Sequence, residues 1–193
     1  MPHINYEAKE IVFKIVYYGP GLSGKTTNLV QVHRSLAENL KGEMLTLDTA
    51  EERTLFFDFF PLELGNIEGY SVRFNMYTVP GQIYYEASRR LILDGADGVV
   101  FVADSQRDRL EDNLESYRLM QENLESYGID PKNFPTTLQY NKRDVDAPLE
   151  VGSIESALSL NGIPVLEAVA TQNQGVMETI RDVSKQVIRK FQI

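Results

Sequence analysis

Nine residues, from Gly19 to Thr27, constrain the fold of this chain more than any other stretch. They have the spacing G-x-x-x-x-G-K-T of a phosphate-binding loop, between an apolar run (Ile11 to Tyr18) and a segment with helical periodicity. Glycines let such a loop fold closely around a phosphate, and successive N–H groups then form an anion nest at the start of a helix. The alternative is a glycine-rich turn that binds nothing, and the flanking strand and helix argue against it.

The loop assigns roles to individual residues. Lys25 would reach the β- and γ-phosphates of a nucleotide, and the hydroxyl of Thr26 would bind Mg²⁺. The candidate nucleotide-binding residues of this stretch are Gly19, Gly21, Leu22, Ser23, Gly24, Lys25, Thr26 and Thr27.

Composition excludes several classes of protein. The 193 residues carry a net charge of −9, which argues against broad electrostatic binding to nucleic acid or to an anionic membrane. Because there is no cysteine, disulfides, thiolate metal sites and prenyl or palmitoyl anchors are excluded. Pro2 excludes N-myristoylation, and no apolar run is long enough for a membrane span or a signal peptide. We therefore expect a cytoplasmic protein without a lipid anchor.

The rest of the chain alternates between strand and helix patterns. After the first strand and helix, a hairpin is expected, with its second strand at Tyr70–Tyr77, followed by further strands and helices in turn. The predicted strands are 11–18, 70–77, 98–103, 136–140 and 163–170, and the predicted helices are 25–40, 84–95, 108–127, 153–160 and a C-terminal helix to Phe191. This order predicts an α/β fold in three layers, a mostly parallel sheet with helices on both faces, in one domain spanning residues 1–193.

The segment before the hairpin is harder to interpret. Residues 46–54 are polar and are expected to form an exposed loop, whereas Leu55 to Phe60 are apolar and aromatic until Pro61. The aromatic run predicts a buried strand that ends at the proline. A partly exposed surface for a partner is the alternative.

A second motif, Asn-Lys-x-Asp, follows the strand at 136–140. Asp144 could accept hydrogen bonds from both N1–H and the exocyclic amine of guanine, a donor pair that adenine lacks. The stem of Lys142 could cover the base, and Asn141 could tie this loop to the phosphate loop. With a phosphate loop upstream, the motif predicts a guanine-nucleotide site rather than an ordinary charged turn.

Together the two motifs resemble those of the Ras-like small GTPases, and the resemblance covers nearly the whole chain. It implies a P-loop NTPase fold with a six-stranded sheet and one antiparallel strand, GTP or GDP with Mg²⁺ as ligands, and two switch loops that sense the nucleotide. Val169 and Ala170 lie where this family has its third guanine loop, although only the alanine is kept. The resemblance implies that the N–H of Ala170 contacts the guanine oxygen.

The chain most resembles the branch of this family that serves bacterial polarity and gliding motility. In most Ras-like proteins an aspartate after the third strand holds Mg²⁺ through water. Here the position is Thr78, whose hydroxyl could orient a metal-bound water but adds no charge, so Thr78 is a candidate metal residue acting through water. The stretches that carry this closer resemblance are 14–22, 52–59, 77–82 and 141–144.

The same resemblance implies how hydrolysis would occur. Gln82, directly after Gly81, would orient the attacking water, and Arg53 would act in cis as an arginine finger. Thr54 is the favoured switch threonine for Mg²⁺ and the γ-phosphate. The residues alone do not distinguish it from Thr46 and Thr49.

The resemblance further implies a dimeric, roadblock-fold GTPase-activating partner and effectors at a cell pole. Two other functions stay open, a P-loop kinase for a small metabolite and a GTP-dependent scaffold with negligible turnover. His3 and His33 are isolated, so neither a zinc site nor a Ser-His-Asp triad is expected.

Overall fold

The computed structural model describes residues 2–47, 57–81 and 85–191. Its strands are β1 (His3–Asn5), β2 (Glu10–Tyr18), β3 (Leu45–Leu47), β4 (Phe57–Ile67), β5 (Tyr70–Thr78), β6 (Gly98–Asp104), β7 (Thr136–Asn141) and β8 (Val165–Glu167). Its helices are α1 (Lys25–Ser35), α2 (Glu86–Leu93), α3 (Leu110–Ser126), α4 (Ser153–Leu158) and α5 (Val176–Phe191).

One mixed sheet in the order β3-β4-β5-β2-β6-β7-β8 forms the centre, and β1 pairs with β2. The five strands β5, β2, β6, β7 and β8 run parallel to one another. Strand β4 is antiparallel to β5. The predicted α/β fold is therefore confirmed. Two three-residue antiparallel strands, β1 and β3, extend the expected six strands to eight.

Helices cover both faces of the sheet. Phe13, Ile15 and Tyr17 of β2 lie in a core with residues of α1 and α5, whereas Val16 and Tyr18 lie in a second core with residues of α2, α3 and α4. Because both faces are buried, β2 is apolar at successive positions rather than at alternate ones.

The first helix is shorter than the predicted range 25–40. Helix α1 ends at Ser35, Leu36 is extended, and a single 3₁₀ turn follows at Glu38–Leu40. Side chains fold the chain back here, because the His33 ring nitrogen hydrogen-bonds the carbonyl of Gly42 (3.0 Å) and Lys41 donates to the carbonyl of His33 (2.9 Å). Through these contacts His33 has a structural role at the end of the helix.

Pro61 does not end its strand, as the sequence had predicted, because β4 continues to Ile67. The Pro61 carbonyl accepts a hydrogen bond from the N–H of Gly42 (2.9 Å), so this side of the residue faces away from β5. The missing N–H of Pro61 therefore lies on the side of β4 that faces Gly42, whose carbonyl is contacted by His33 instead. The pairing with β5 lies on the other side of the strand and continues past the proline.

The parallel strands bring the loops after β2, β5, β7 and β8 to one edge of the sheet, where ligands bind in open α/β folds. β8 is shorter than the predicted strand at 163–170, which leaves Ala168 to Ala170 free to form part of this edge. None of the helices in the described ranges is long and apolar enough to cross a membrane.

Candidate functional site

The phosphate loop depends on glycine at two positions. Gly19 has φ 141°, and a Cβ there would lie 2.2 Å from the carbonyl oxygen of Val102. Gly24 has φ 99° at the N-cap of α1, and a Cβ there would lie 2.3 Å from Asn141 Nδ2. Both conformations and both close approaches exclude a larger residue, so the loop is fixed in shape by neighbouring elements.

Lys25 lies buried inside the bend of the loop. Its Nζ donates to the carbonyls of Gly19 (3.0 Å) and Pro20 (2.7 Å). Burial, with a smaller effect from the charge of Arg89, lowers the pKa of Lys25 from 10.5 to about 7. The cation is thus held by neutral carbonyls, and an anionic ligand in the loop would offer it a stronger partner.

Asn141 joins three loops of the site. Its Nδ2 donates to the carbonyl of Ser23 (2.8 Å), and its Oδ1 accepts from the N–H of Ala170 (3.0 Å). The contact with Ser23 is the tie to the phosphate loop that the sequence indicated. The contact with Ala170 engages the same N–H that the sequence predicts will meet the guanine oxygen.

The other residues of the Asn-Lys-x-Asp motif lie on the same loop. Lys142 has φ 63° and its Nζ pairs with Asp104 Oδ2 at 2.7 Å. Asp104 is 1% exposed at the end of β6, whereas Lys142 is partly exposed, so the acid half of this ion pair is withdrawn from water. Asp144 is exposed.

A carboxylate that sequence reasoning missed links the two threonines assigned to Mg²⁺. Asp58 Oδ2 accepts hydrogen bonds from Thr26 Oγ1 (2.6 Å) and from Thr78 Oγ1 (3.0 Å). The N–H of Asp58 also donates to Thr78 Oγ1 (2.8 Å). The signal that could have revealed it is a single acid within the aromatic run from Phe57 to Phe60.

The loop after β5 packs directly on the phosphate loop. A Cβ on Gly81 would lie 2.5 Å from Gly21 Cα and 2.7 Å from Lys25 Nζ. The predicted site residues Val169 and Thr27 lie in the adjoining segments, at the start of a 3₁₀ turn and in the first turn of α1. Arg53, Thr54 and Gln82 lie outside the described residues, as does Thr49.

The donor atoms fit a magnesium ion better than a softer metal. Mg²⁺ prefers oxygen ligands and keeps several waters, and the oxygens of Thr26, Thr78 and Asp58 converge here. Within the described ranges, no three or more His, Cys, Asp or Glu side chains are grouped to hold a metal. A metal at this point would thus depend on hydroxyls, water and ligand phosphates.

Comparison with known proteins gives two relatives, and no family model matches the chain. The chain is 50% identical over 191 residues to the mutual gliding-motility protein MglA of Myxococcus xanthus, covering 99% of this chain and 98% of that protein. It is 24% identical over 185 residues to the Ypt/Rab-type GTPase ypt7 of Pyricularia oryzae, covering 93% of this chain and 84% of that protein. Half of the residues agree with the first relative over nearly the full length of both chains, which shows a common family.

Proposed function

Because the chain belongs to the MglA family of Ras-like small GTPases, we propose that it is a switch that binds GTP or GDP with Mg²⁺ and slowly hydrolyses GTP. One observation carries the proposal. Asn141 holds the phosphate loop at Ser23 and the third guanine loop at Ala170, so the two motifs form one site. The whole chain, residues 1–193, would act as a single GTPase domain.

In this proposal the phosphates bind at the N-terminus of α1. The amides of Gly21 to Gly24 would donate to the β-phosphate, and Lys25 would exchange its carbonyl partners for phosphate oxygens. Thr26 would bind Mg²⁺ directly, Thr54 would join it when the switch closes, and Thr78 would act through water. When bound, the metal would neutralise charge on the β- and γ-phosphates.

Asp144 would select the base, with Lys142 along its face. The ion pair between Lys142 and the buried Asp104 supports this placement, because it fixes the lysine stem while leaving Asp144 exposed to a ligand. Val169 and Ala170 would form the far wall of the base site. A bond from Ala170 to guanine would require its N–H to leave Asn141.

Hydrolysis would need Gln82 to orient water and Arg53 to balance charge on the transferring phosphoryl group. We propose that a roadblock-fold dimer similar to MglB stimulates this step without supplying an arginine of its own. The name of the MglA relative connects that protein with gliding motility. We propose a related role for this chain, which would act in the cytoplasm and be recruited to a cell pole by motility effectors.

The test is phosphate release from GTP and from ATP by the purified chain, with and without the roadblock partner. The proposal predicts slow release from GTP alone, faster release with the partner, and none from ATP. Nucleotide binding is measured alongside, because a kinase would pass its phosphoryl group to a metabolite rather than to water. Tighter binding of ATP than of GTP would support a P-loop kinase and overturn the proposal.

One observation favours a second candidate, a GTP-dependent scaffold with negligible turnover. Asp58 engages the hydroxyls of both Thr26 and Thr78, so the proposed metal ligands are already bonded to a protein carboxylate. Tight GTP binding with no phosphate release, even with the partner and excess Mg²⁺, would favour the scaffold.

Replacing Arg53 tests the proposed arginine finger. We expect Arg53→Ala to reduce partner-stimulated hydrolysis by about 10³-fold, a typical contribution of such a cation, and to leave GDP affinity unchanged. Arg34→Ala is the matched control, because Arg34 is an exposed arginine of α1. Wild-type stimulated hydrolysis in Arg53→Ala would remove this role.

A further inference from the structure

The carbonyl groups of the phosphate loop need donors other than the N–H groups of the loop. In an anion nest the N–H groups face the ligand, so the carbonyls face away and must be satisfied by other donors. Side chains donate hydrogen bonds to five of these carbonyls. The carbonyls of Gly19 and Pro20 accept from Lys25, that of Gly21 from Arg109, that of Ser23 from Asn141 and that of Gly24 from Asn28.

Two of these donors, Asn28 and Arg109, belong to no motif recognised in the sequence, and of the two only Arg109 is distant from the loop along the chain. It lies in the 3₁₀ turn that precedes α3, and one terminal nitrogen donates to the carbonyl of Gly21 at 2.9 Å. Lys25 must leave its carbonyls if it moves to phosphate. Arg109 lies on the outer side of the loop and can keep its contact while a ligand is bound.

The guanidinium of Arg109 is held in place by one acid and lies near a second. Its other terminal nitrogen pairs with Asp112 at 2.5 Å, and its Nε lies 4.0 Å from Asp104 Oδ2. The same Asp104 oxygen pairs with Lys142 of the proposed base-binding loop. Asp104 is itself fixed, because its backbone N–H and carbonyl both bond to the side chain of Asn113.

We propose that Arg109 is a positioning residue that holds the Gly21 carbonyl outward, so that the loop amides face the β-phosphate. Through Asp104 and Lys142 it also connects the phosphate loop with the base-binding loop. The inference rests on the proposed function, because it assumes that the loop binds a guanine nucleotide. Arg109 does not itself touch the nucleotide in this arrangement.

The experiment compares GDP and GMP affinity by titration calorimetry for wild type, Arg109→Ala, Arg109→Lys and Arg118→Ala. GMP lacks the β-phosphate that the nest would hold, so a general weakening of the site affects both nucleotides, whereas loss of loop positioning affects GDP. Arg118→Ala is the matched control, because Arg118 is an exposed arginine of α3 whose described ion pair is with Glu111 (3.4 Å).

We expect Arg109→Ala to weaken GDP binding about tenfold or more, as for loss of a charge-assisted hydrogen bond, with GMP affinity unchanged within about twofold. Arg109→Lys should weaken GDP binding about half as much on a logarithmic scale, because one ammonium replaces only part of the fork of donors. Arg118→Ala should match wild type. If Arg109→Ala does not fold, as judged by circular dichroism, the lysine variant decides.

Two results would overturn the inference. Either GDP and GMP both keep their wild-type affinity in both Arg109 variants, or both nucleotides weaken by the same factor. Failure of the proposed function has a different signature, since wild type itself would then not bind GDP.

Discussion

Lys25 combines burial with a position at the bend of the phosphate loop, and these two properties give it an unusual pKa. Its pKa of about 7 reflects mainly the loss of solvent around the ammonium group. Phosphates would restore the charge, because an anionic partner stabilises the protonated form. Nucleotide binding should therefore be linked to proton uptake.

The sign of this linkage is defined by the two pKa values. Between about pH 7 and pH 10.5 the unfolded chain binds more protons at this lysine than the ligand-free folded chain. The free energy of unfolding therefore rises with pH in this range, because the cost of burying Lys25 becomes smaller. For the same reason, GDP binding at about pH 8.5 should take up close to one proton, and affinity should fall up to about tenfold per pH unit above 7. Calorimetry in buffers of different ionisation enthalpy measures this uptake.

Lys25→Arg provides the control for this prediction, because arginine stays charged across the whole range. We expect no proton uptake at this site in the arginine variant. A binding enthalpy of wild type that does not depend on the buffer at this pH would contradict the account of Lys25.

Tyr17 shows the opposite case, a buried group that the site does not use. It is fully buried in β2, and within the described residues its hydroxyl has no hydrogen-bond partner. Burial raises the pKa of this hydroxyl, which therefore stays neutral. Tyr17→Phe should stabilise the GDP-bound chain by about 1 kcal/mol in urea unfolding, because it removes a desolvated polar group.

Tyr140→Phe is the matched control for Tyr17→Phe. The Tyr140 hydroxyl accepts from the N–H groups of Gly152 (3.2 Å) and Ile154 (3.0 Å) and donates to Glu155. Its removal should cost about 1–3 kcal/mol, because these groups lose a buried partner. Equal destabilisation by both substitutions would show that Tyr17 is satisfied in solution.

At the scale of elements, the packing of α5 on β6 depends on a glycine at the start of β6. A Cβ on Gly98 would lie 2.6 Å from Val187 Cγ2 and 3.2 Å from Val183 Cγ2. Valine side chains are stiff, so neither methyl can move aside at low cost. Gly98 is therefore a site where the distance between helix and sheet is set.

We expect Gly98→Ala to destabilise the chain by about 1–3 kcal/mol, the usual cost of overpacking a core. Denaturant unfolding measures this loss. Adding Val187→Ala should recover part of the loss relative to the Gly98→Ala variant, because it removes the nearest methyl. Wild-type stability in Gly98→Ala would mean that α5 moves away from the sheet freely.

The elements that the sequence predicted well are those with long regular patterns. The apolar run of β2, the alternation of β5 and the periodicity of α3 and α5 each reflect local chemistry repeated over several turns or residue pairs. The end of α1 and the course of β4 through Pro61 depend on contacts with Gly42, which is close in space but belongs to neither pattern.

The same distinction holds in the candidate site. Backbone loops and motif residues could be identified from spacing, including the tie from Asn141 to Ser23. Asp58, Asp104 and Arg109 could not, because each acts through partners distant in sequence, such as Thr26, Lys142 and Gly21. Charged residues of this kind have no spacing rule, so only the fold reveals their partners.

At the scale of the whole molecule, one edge of the sheet collects the groups needed to bind a nucleotide. The phosphate loop follows β2, the loop ending at Gly81 follows β5, and the loops with Asn141 and Ala170 follow β7 and β8. The central claim is that these loops form one site for a guanine nucleotide. It requires that a single carboxylate after β7 select the base.

The most direct test is the affinity of wild type, Asp144→Asn and Asp146→Asn for GDP and XDP, measured by competition against a fluorescent nucleotide. Xanthine carries an oxygen where guanine carries the amine, so an amide in place of Asp144 can donate to it. The account predicts that wild type and Asp146→Asn, which changes a second exposed acid of the same loop, prefer GDP, whereas Asp144→Asn prefers XDP. Unchanged selectivity for GDP in Asp144→Asn would contradict the account.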